Sequence, residues 1–151
     1  MIQALYRDFT CSVLHEGNLT PWFTVETGVK QGCMLSPLLV LIALDWVMKE
    51  TTSHQRNGIR WKLTTVLEDL DYADDICLLS NSGSHLNEKT ARLNNNARKV
   101  GLKINTKKPK WMSTGCKRNC QIRIDGHEVE KTDQFSYLGS MIDVQGGADA
   151  D

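Results

Sequence analysis

Residues 67–79 have the sequence Leu67-Glu68-Asp69-Leu70-Asp71-Tyr72-Ala73-Asp74-Asp75-Ile76-Cys77-Leu78-Leu79. An acidic run leads directly into an apolar run, and five carboxylates fall within the eight residues 68–75 with no base among them. Aspartate is a poor strand former, so its place in otherwise strand-like sequence predicts a hairpin with its turn near Ala73-Asp74. Crowded carboxylates repel one another unless a cation or solvent relieves them. The pattern predicts a metal site on a hairpin, with a solvated acidic turn as the alternative.

The charges of this chain are separated along the sequence, although the formal net charge of the 151 residues is zero. Residues 66–75 carry five acids and no base, whereas residues 98–123 carry nine bases and no acid. A basic stretch suits a polyanion, and an acidic one suits a divalent cation. The alternative for residues 98–123 is a solvated lysine-rich surface.

The cysteines and the first residues predict an intracellular protein. The five cysteines are an odd number, and Cys33 and Cys77 lie in apolar segments that look buried. Residues 1–16 lack the apolar core of a signal peptide, so we expect free thiols in the nucleus or cytoplasm and no secretion. Cys116-x-x-x-Cys120 has no second ligand pair beside it, and His127 follows seven residues on. Two unrelated thiols are therefore favoured over a zinc site.

The remaining patterns predict helices mixed with short strands. Ser36 followed by Pro37 is typical of a helix start, and the apolar run 38–44 is too short for a membrane span, so we expect a buried helix and no membrane. Apolar residues spaced by three and four predict an amphipathic helix over 84–100 that ends at Gly101. We also expect a helix tail over 1–9, a hairpin of 11–15 with 22–27, and strands near 59–63, 102–104, 110–113, 121–124 and 135–138. Together these elements predict an α+β fold with helices on one face of an antiparallel sheet.

Residues 28–37, Gly28-Val29-Lys30-Gln31-Gly32-Cys33-Met34-Leu35-Ser36-Pro37, predict a loop in which glycines allow a ligand to approach the backbone. Here the chain resembles the reverse transcriptases of LINE-type (non-LTR) retrotransposons. Tyr72-Ala73-Asp74-Asp75 resembles the catalytic hairpin of that family. Val100-Gly101-Leu102-Lys103-Ile104-Asn105, with Lys108 and Lys110, resembles its lysine-bearing block, and Phe135-Ser136-Tyr137-Leu138-Gly139 its primer-holding block. The four blocks follow the family's order, and their amino-acid sequences favour a LINE origin over a group II intron maturase.

The resemblance implies an RNA-directed DNA polymerase that adds deoxynucleotides to a primer 3′-hydroxyl by two-metal phosphoryl transfer. It makes Asp74 and Asp75 the catalytic residues and the ligands of Mg2+, with Mn2+ as an alternative. Further roles follow from it: Gln31 and Gly32 at the template or nucleotide, Tyr72 beneath the primer end or nucleotide, Lys108 at the triphosphate, and Tyr137, Leu138 and Gly139 at the primer. Core packing for Tyr72, a surface position for Lys108 and an ordinary edge strand for 137–139 are the alternatives.

The implied partners are an RNA template, a DNA primer and deoxynucleoside triphosphates, and the full-length element is expected to carry an endonuclease domain. Residues 1–151 would be a partial reverse transcriptase palm, with a template and nucleotide loop at 28–37, a catalytic hairpin at 67–79 and a primer-holding block at 135–139. We expect this polymerase palm-type sheet to be incomplete at both ends, because no upstream strand leads into a metal-binding Asp. The isolated chain should then be inactive. The alternative is a catalytically dead or repurposed palm fragment that only binds nucleic acid or a partner.

Overall fold

The computed structural model describes residues 2–53, 57–114 and 120–145. These ranges contain three helices, α1 (Ile2–Tyr6), α2 (Ser36–Thr52) and α3 (Gly83–Lys99), together with fourteen short strands. The mixture of helices and strands confirms the α+β class. The chain divides into two compact units, residues 1–40 and 41–151, and the boundary falls within α2.

The first unit contains the predicted hairpin, although its strands are interrupted. Its strands are β1 (Thr10–Cys11), β2 (Leu14–His15), β3 (Asn18–Leu19) and β4 (Phe23–Thr24), with β1 antiparallel to β4 and β2 antiparallel to β3. Between the two pairs, hydroxyl groups add to a backbone bond from the Thr20 N–H to the Val13 carbonyl at 2.9 Å. The Ser12 hydroxyl donates to the Thr20 carbonyl at 2.7 Å, and the Thr20 hydroxyl accepts from the Val13 N–H at 3.0 Å. Side-chain bonding of this kind competes with regular strand pairing.

The second unit contains the other strands, mostly as antiparallel hairpins. They are β5 (Ile59–Arg60), β6 (Val66–Leu67), β7 (Asp69–Tyr72), β8 (Asp75–Leu78), β9 (Lys110–Trp111), β10 (Arg123–Ile124), β11 (His127–Glu128), β12 (Glu130–Lys131), β13 (Gln134–Tyr137) and β14 (Ser140–Asp143). The antiparallel pairs are β5 with β6, β7 with β8, β10 with β11 and β13 with β14, whereas β9 and β12 are parallel. Within the described ranges the strands form separate pairs and not one continuous sheet.

The predicted strand at 102–104 is wrong. Residues 102–105 have no regular secondary structure. Leu102 and Ile104 pack instead against the hydrophobic core, and Ile104 contacts both of its clusters. The alternation of apolar and polar residues in this segment therefore reflects two side chains inserted into the core and not a strand in a ladder.

The core of the second unit is formed by α2, α3 and the neighbouring strands. One cluster joins Val47 and Met48 of α2 to Leu93 and Ala97 of α3, and a second consists of Ile122, Ile124 and Val129. Ile76 and Leu78 of β8 pack on the first cluster. This contact attaches the acidic hairpin to the helices.

Helix α2 begins at Ser36 as predicted, but the expectation that it is buried is wrong for its first half. Leu38, Leu41 and Ile42 are 54%, 47% and 57% exposed, whereas Val47 is 1% exposed. Burial increases where the helix meets α3 through the first core cluster. The structure thus explains the apolar run of α2 only in its second half. No helix in the described ranges is long and apolar enough to cross a membrane.

Helix α3 matches the prediction closely. The Ser82 hydroxyl accepts a hydrogen bond from the His85 N–H at 3.3 Å and caps the helix N-terminus, and the chain leaves the helix through Gly101 at φ 78°. Asparagine is a weak helix former. The side-chain amide of the buried Asn94 donates to Asp125 at 2.6 Å, and that of the buried Asn96 donates to Thr51 at 3.3 Å. These tertiary hydrogen bonds compensate for the low helix propensity of asparagine.

Candidate functional site

The acidic hairpin has the tightest turn available to two antiparallel strands. Tyr72 pairs with Asp75, so Ala73 and Asp74 alone form the turn, as predicted. Ala73 has φ 55°, a left-handed conformation that costs an L-residue about 1–2 kcal/mol. Asp74 and Asp75 are both exposed at this tip. The hairpin therefore presents two adjacent carboxylates to solvent on a short, defined backbone.

The two faces of the hairpin have different surroundings. Ile76 and Leu78 point to the α2–α3 cluster. Because side chains alternate along a strand, Asp75 and Cys77 point to the opposite face. Tyr72 lies directly across from Asp75 on that face and is 67% exposed. We call this second face of β7 and β8, which carries Tyr72, Asp75 and Cys77, the open face.

The crowding of carboxylates affects the pKa of Asp69. Burial raises the pKa of Asp69, the negative charges of Asp71 and Glu68 add to the rise, and the positive charge of Lys89 opposes it. Burial also raises the pKa of the Cys77 thiol, with a further contribution from Asp69. The like-charge repulsion predicted from the sequence thus acts within the base of the hairpin, next to a buried cation.

The primer-holding block predicted at 135–139 lies in a second hairpin. Strands β13 and β14 are joined by Leu138-Gly139, and Leu138 is 52% exposed with φ 51°. Burial raises the pKa of the Tyr137 hydroxyl, and the charges of Cys77, Asp71 and Asp75 raise it further. Tyr137 is therefore within electrostatic range of the charges on the acidic hairpin.

Lys89 is a residue of this site that the sequence interpretation missed. Its ammonium group is buried at the base of the acidic hairpin, 2.7 Å from a Glu68 carboxylate oxygen. A signal was present in the sequence. Lys89 falls on the apolar stripe of α3, three residues after Leu86 and four before Leu93, where a charged side chain requires a buried partner.

Asp74 and Asp75 are the candidate metal donors. Mg2+ is bound in proteins through one or two carboxylates and keeps water or phosphate in its other positions, and two exposed adjacent carboxylates fit one such ion. Across residues 2–53, 57–114 and 120–145, no group of three or more His, Cys, Asp or Glu side chains is gathered closely enough to hold a metal. Within these ranges Asp74 and Asp75 are thus two exposed carboxylates with no third ligating side chain gathered beside them. Cys116 of the disfavoured zinc site lies outside the described residues.

The loop predicted at 28–37 is a loop in the first unit, and an open pocket of about 500 Å³ lies along it. The pocket is lined by Val29, Lys30, Gln31, Gly32, Cys33, Met34, Ser36, Pro37 and Val40. Gly32 has φ 78°, a conformation that favours glycine. The Lys30 ammonium lies 4.3 Å from the centre of the Phe9 ring, and the Ser36 hydroxyl donates to the Lys30 carbonyl at 2.5 Å. These contacts hold the pocket wall in place.

Cys33 contributes a thiol with a lowered pKa to the wall of this pocket. The backbone N–H of Leu35 is the main cause of the lowered pKa, burial opposes it, and Ser36 and Lys30 add smaller contributions in the lowering direction. Among the described cysteines, Cys11, Cys33, Cys77 and Cys120 are free thiols. The expected free thiols are thus found at these four positions.

The predicted triphosphate residue, Lys108, is exposed in a turn. A neighbouring open pocket of about 340 Å³ is lined by Lys103, Ile104, Asn105, Thr106 and Lys107, and Lys108 does not contribute to its wall. Lys103 and Lys107 are therefore two further cations that the sequence interpretation did not single out. The family resemblance singled out Lys108 because this residue belongs to the lysine-bearing block. In the structure it is Lys103 and Lys107 that line the pocket.

The sequence of the chain identifies its family. The sequence model of the family described as reverse transcriptase (RNA-dependent DNA polymerase) matches residues 1–142. That range contains the loop at 28–37, the tip at Asp74 and Asp75, and Tyr137. The chain belongs to the reverse transcriptase (RNA-dependent DNA polymerase) family.

Proposed function

We propose that this chain is the palm part of the reverse transcriptase of a LINE-type, non-LTR retrotransposon. The observation that carries the proposal is the exposed pair Asp74 and Asp75 at the tip of a two-residue hairpin, and Asp75 is also one of the carboxylates that raise the pKa of Tyr137 in the next hairpin. An exposed carboxylate pair on a short turn is suited to a divalent cation that must also contact substrate. In this proposal the element that encodes the chain also encodes an endonuclease.

In the proposed reaction, a deoxynucleotide is transferred from its triphosphate to the 3′-hydroxyl of a DNA primer on an RNA template. Asp74 is the main ligand of Mg2+ (or Mn2+), and Asp75 assists it. Bound divalent ions lower the pKa of the hydroxyl and neutralise charge on the leaving pyrophosphate. The chain itself contributes negative charge at a fixed tip and a solvent-facing side chain, Tyr72, on which the primer end or the nucleotide rests.

The remaining residues are assigned to the substrates. Gln31 and Gly32, which line the loop pocket, contact the template or the incoming nucleotide. The exposed Lys108 contacts the triphosphate, and Tyr137, Leu138 and Gly139 hold the primer backbone. The half-buried Tyr137 supports this assignment through its position near Asp71 and Asp75, because a primer end held there would lie close to the proposed metal ligands.

A second candidate is a palm fragment that binds nucleic acid without catalysis. The observation in its favour is that, in the part of the chain that the structure describes, no third metal-binding side chain joins Asp74 and Asp75. Two metals need more ligands than two neighbouring carboxylates supply. We therefore expect the 151-residue chain alone to bind a primer–template and not to extend it. Robust magnesium-dependent incorporation by the purified chain would refute this expectation.

The polymerase proposal is tested in a polymerase that contains these residues, by primer extension on an RNA template. Asp74→Asn should abolish incorporation and leave template binding largely intact, because the change removes one charge at an exposed tip and no core contact. Asp45→Asn is the matched control, since Asp45 is an exposed carboxylate on α2 that pairs with Lys49. Activity of Asp74→Asn at half the wild-type level would exclude the assigned role.

A further inference from the structure

Lys89 is buried beneath the acidic hairpin and uses all three of its ammonium protons. The residue is 2% exposed. Its Nζ donates to a Glu68 carboxylate oxygen at 2.7 Å, to the Glu68 carbonyl at 3.0 Å and to the Leu79 carbonyl at 2.6 Å. A lysine ammonium has three donors and no acceptor, so its bonding capacity is completely filled here.

The two carbonyls belong to opposite strands at the same end of the hairpin. Glu68 directly precedes β7 and Leu79 directly follows β8, and the Leu79 N–H donates to the Glu68 carbonyl at 2.9 Å. Lys89 thus closes the end of the ladder that lies away from the turn. Strands of four residues rise about 3.3 Å per residue, which puts the turn roughly 13 Å from this contact.

A buried ion pair of this kind adds little to the free energy of unfolding. Taking an ammonium and a carboxylate out of water costs several kcal/mol, and an apolar pair of similar size often stabilises a fold as well or better. Among the described residues, the second carboxylate oxygen of Glu68 is buried and lacks a hydrogen-bond partner. The arrangement instead fixes an orientation. Three hydrogen bonds from the Lys89 Nζ hold the base of both strands in one position relative to α3.

Orientation matters because a two-stranded hairpin has little stability of its own. Ile76 and Leu78 attach one face of β8 to the core, but apolar contacts are not directional. A small rotation about these contacts would move the exposed tip with Asp74 and Asp75. The bonds of Lys89 oppose such a rotation.

We propose that Lys89 is a positioning residue, which anchors the base of the acidic hairpin to α3 and thereby holds Asp74 and Asp75 in the geometry that binds a divalent cation. This inference rests on the proposed metal-binding role of Asp74 and Asp75. It assigns to Lys89 no contact with substrate or metal.

The test uses the 151-residue chain and Mn2+ alone as the probe. Bound Mn2+ broadens the NMR signals of nearby amides, so a titration followed at Tyr72 to Asp75 reports binding at the hairpin tip and not at other acids. The decisive variant combines Lys89→Met with Glu68→Gln. It removes one buried cation and one buried anion together, so the net charge near the tip is unchanged and neither charge is left buried without its partner.

We expect the double variant to bind Mn2+ at the tip about tenfold more weakly, at the lower end of the loss that follows removal of groups bonded directly to metal ligands, because Lys89 acts through the hairpin backbone. The matched control combines Lys49→Met with Asp45→Asn, which removes an exposed ion pair of the same charges on α2. It should bind Mn2+ like the wild type. Equal affinity of the Lys89 variant and the wild type would overturn the inference and leave the proposed function standing. An unbroadened tip in the wild-type chain would instead refute the metal-binding role, and the inference with it.

A measurement on the wild-type chain keeps the proposal open to refutation even if the double variant fails to fold. When the hairpin is anchored to α3, its amides open together with those of the helix as one cooperative unit. Hydrogen exchange at Leu79 and at Cys77, whose N–H groups point into the β7–β8 ladder, should then be about as slow as in the middle of α3. Exchange at these two amides more than about a hundredfold faster, a difference near 2.7 kcal/mol at 25 °C, would show that Lys89 does not hold the hairpin.

Discussion

Asp69 is the residue where the charge crowding of the hairpin affects stability. Its pKa lies above its ordinary value of 3.8, chiefly because the side chain is partly buried and secondarily because of Asp71. A carboxyl group with a raised pKa in the folded state contributes stability that is fully present below its unfolded pKa. That stability is lost as the pH rises through the folded pKa.

Asp69→Asn should therefore stabilise the fold at neutral pH and have little effect below about pH 4. The asparagine cannot ionise, so the variant lacks this part of the decline in stability with rising pH. Urea unfolding at acid and neutral pH measures the difference, with the exposed Asp45→Asn as control. A variant that is less stable than the wild type at neutral pH would contradict the assignment.

Cys33 and Cys77 are predicted to differ in reactivity although both are free thiols. The thiolate is the reactive form. The pKa of Cys33 is lowered, first by the Leu35 N–H, whereas burial raises that of Cys77. We expect iodoacetamide at neutral pH to alkylate Cys33 several times faster than Cys77, as measured by peptide mapping over time. Equal rates would mean that the loop does not hold Leu35 and Ser36 around the Cys33 sulfur.

At the scale of elements, the strand before the acidic hairpin depends on a close approach at Gly58. Gly58 is buried, and a Cβ there would overlap the Leu67 carbonyl and lie 2.9 Å from the Glu68 Cα. Backbone atoms cannot move aside as a flexible side chain can. Gly58→Ala should therefore destabilise the second unit by about 1–3 kcal/mol and displace Glu68 from Lys89.

Thermal or urea unfolding measures this loss, and hydrogen exchange at Leu79 reports the displacement. Thr64→Ala is a suitable control, because Thr64 is exposed in the neighbouring loop and its truncation should change stability by less than about 0.5 kcal/mol. If Gly58→Ala unfolds like this control, the backbone of 58 and that of 67–68 are not packed as described.

The elements also show which parts of the fold the sequence could predict. The turn at Ala73-Asp74 and the helix ending at Gly101 follow from local chemistry, and both are confirmed. The strand expected at 102–104 is absent, since alternating apolar residues produce the same pattern whether they pair in a sheet or pack singly into a core. Asn94 and Asn96 are stable in α3 because Asp125 and Thr51 bond them, and such tertiary partners are not visible from propensity.

At the scale of the whole molecule, the sequence predicted the reverse transcriptase family, and the family match over residues 1–142 confirms it. The contacts around the acidic hairpin were not all predicted. Lys89 was missed because its partners, Glu68 and the Leu79 carbonyl, are separated from it by 21 and 10 residues. The exposed half of α2 was missed because an apolar run gives no information about which neighbours cover it.

The distribution of cations over the molecule predicts which lysines bind nucleic-acid phosphates. Of the nine bases at 98–123, Arg98 and Lys110 form ion pairs with Asp125 at 2.7 Å and Glu130 at 3.8 Å, and Lys117 and Arg118 lie outside the described residues. Lys103, Lys107 and Lys108 are exposed within one short segment beside the small pocket. If residues 98–123 contact nucleic-acid phosphates, these three lysines should provide most of the effect.

Replacing Lys103, Lys107 and Lys108 together by Gln should weaken binding to an RNA–DNA primer–template and flatten its salt dependence. Each phosphate contact adds about 1 to the slope of log K against log salt concentration, so the triple variant should lose about 3. Fluorescence anisotropy between about 50 and 200 mM salt measures the slope, with Lys49→Gln as the control. A slope that the triple variant leaves unchanged would show that Lys103, Lys107 and Lys108 do not contact the nucleic-acid phosphates. The polyanion would then have to be held by cations elsewhere in the chain, because a tip that carries Asp74 and Asp75 repels phosphate unless a metal or a neighbouring lysine offsets its charge.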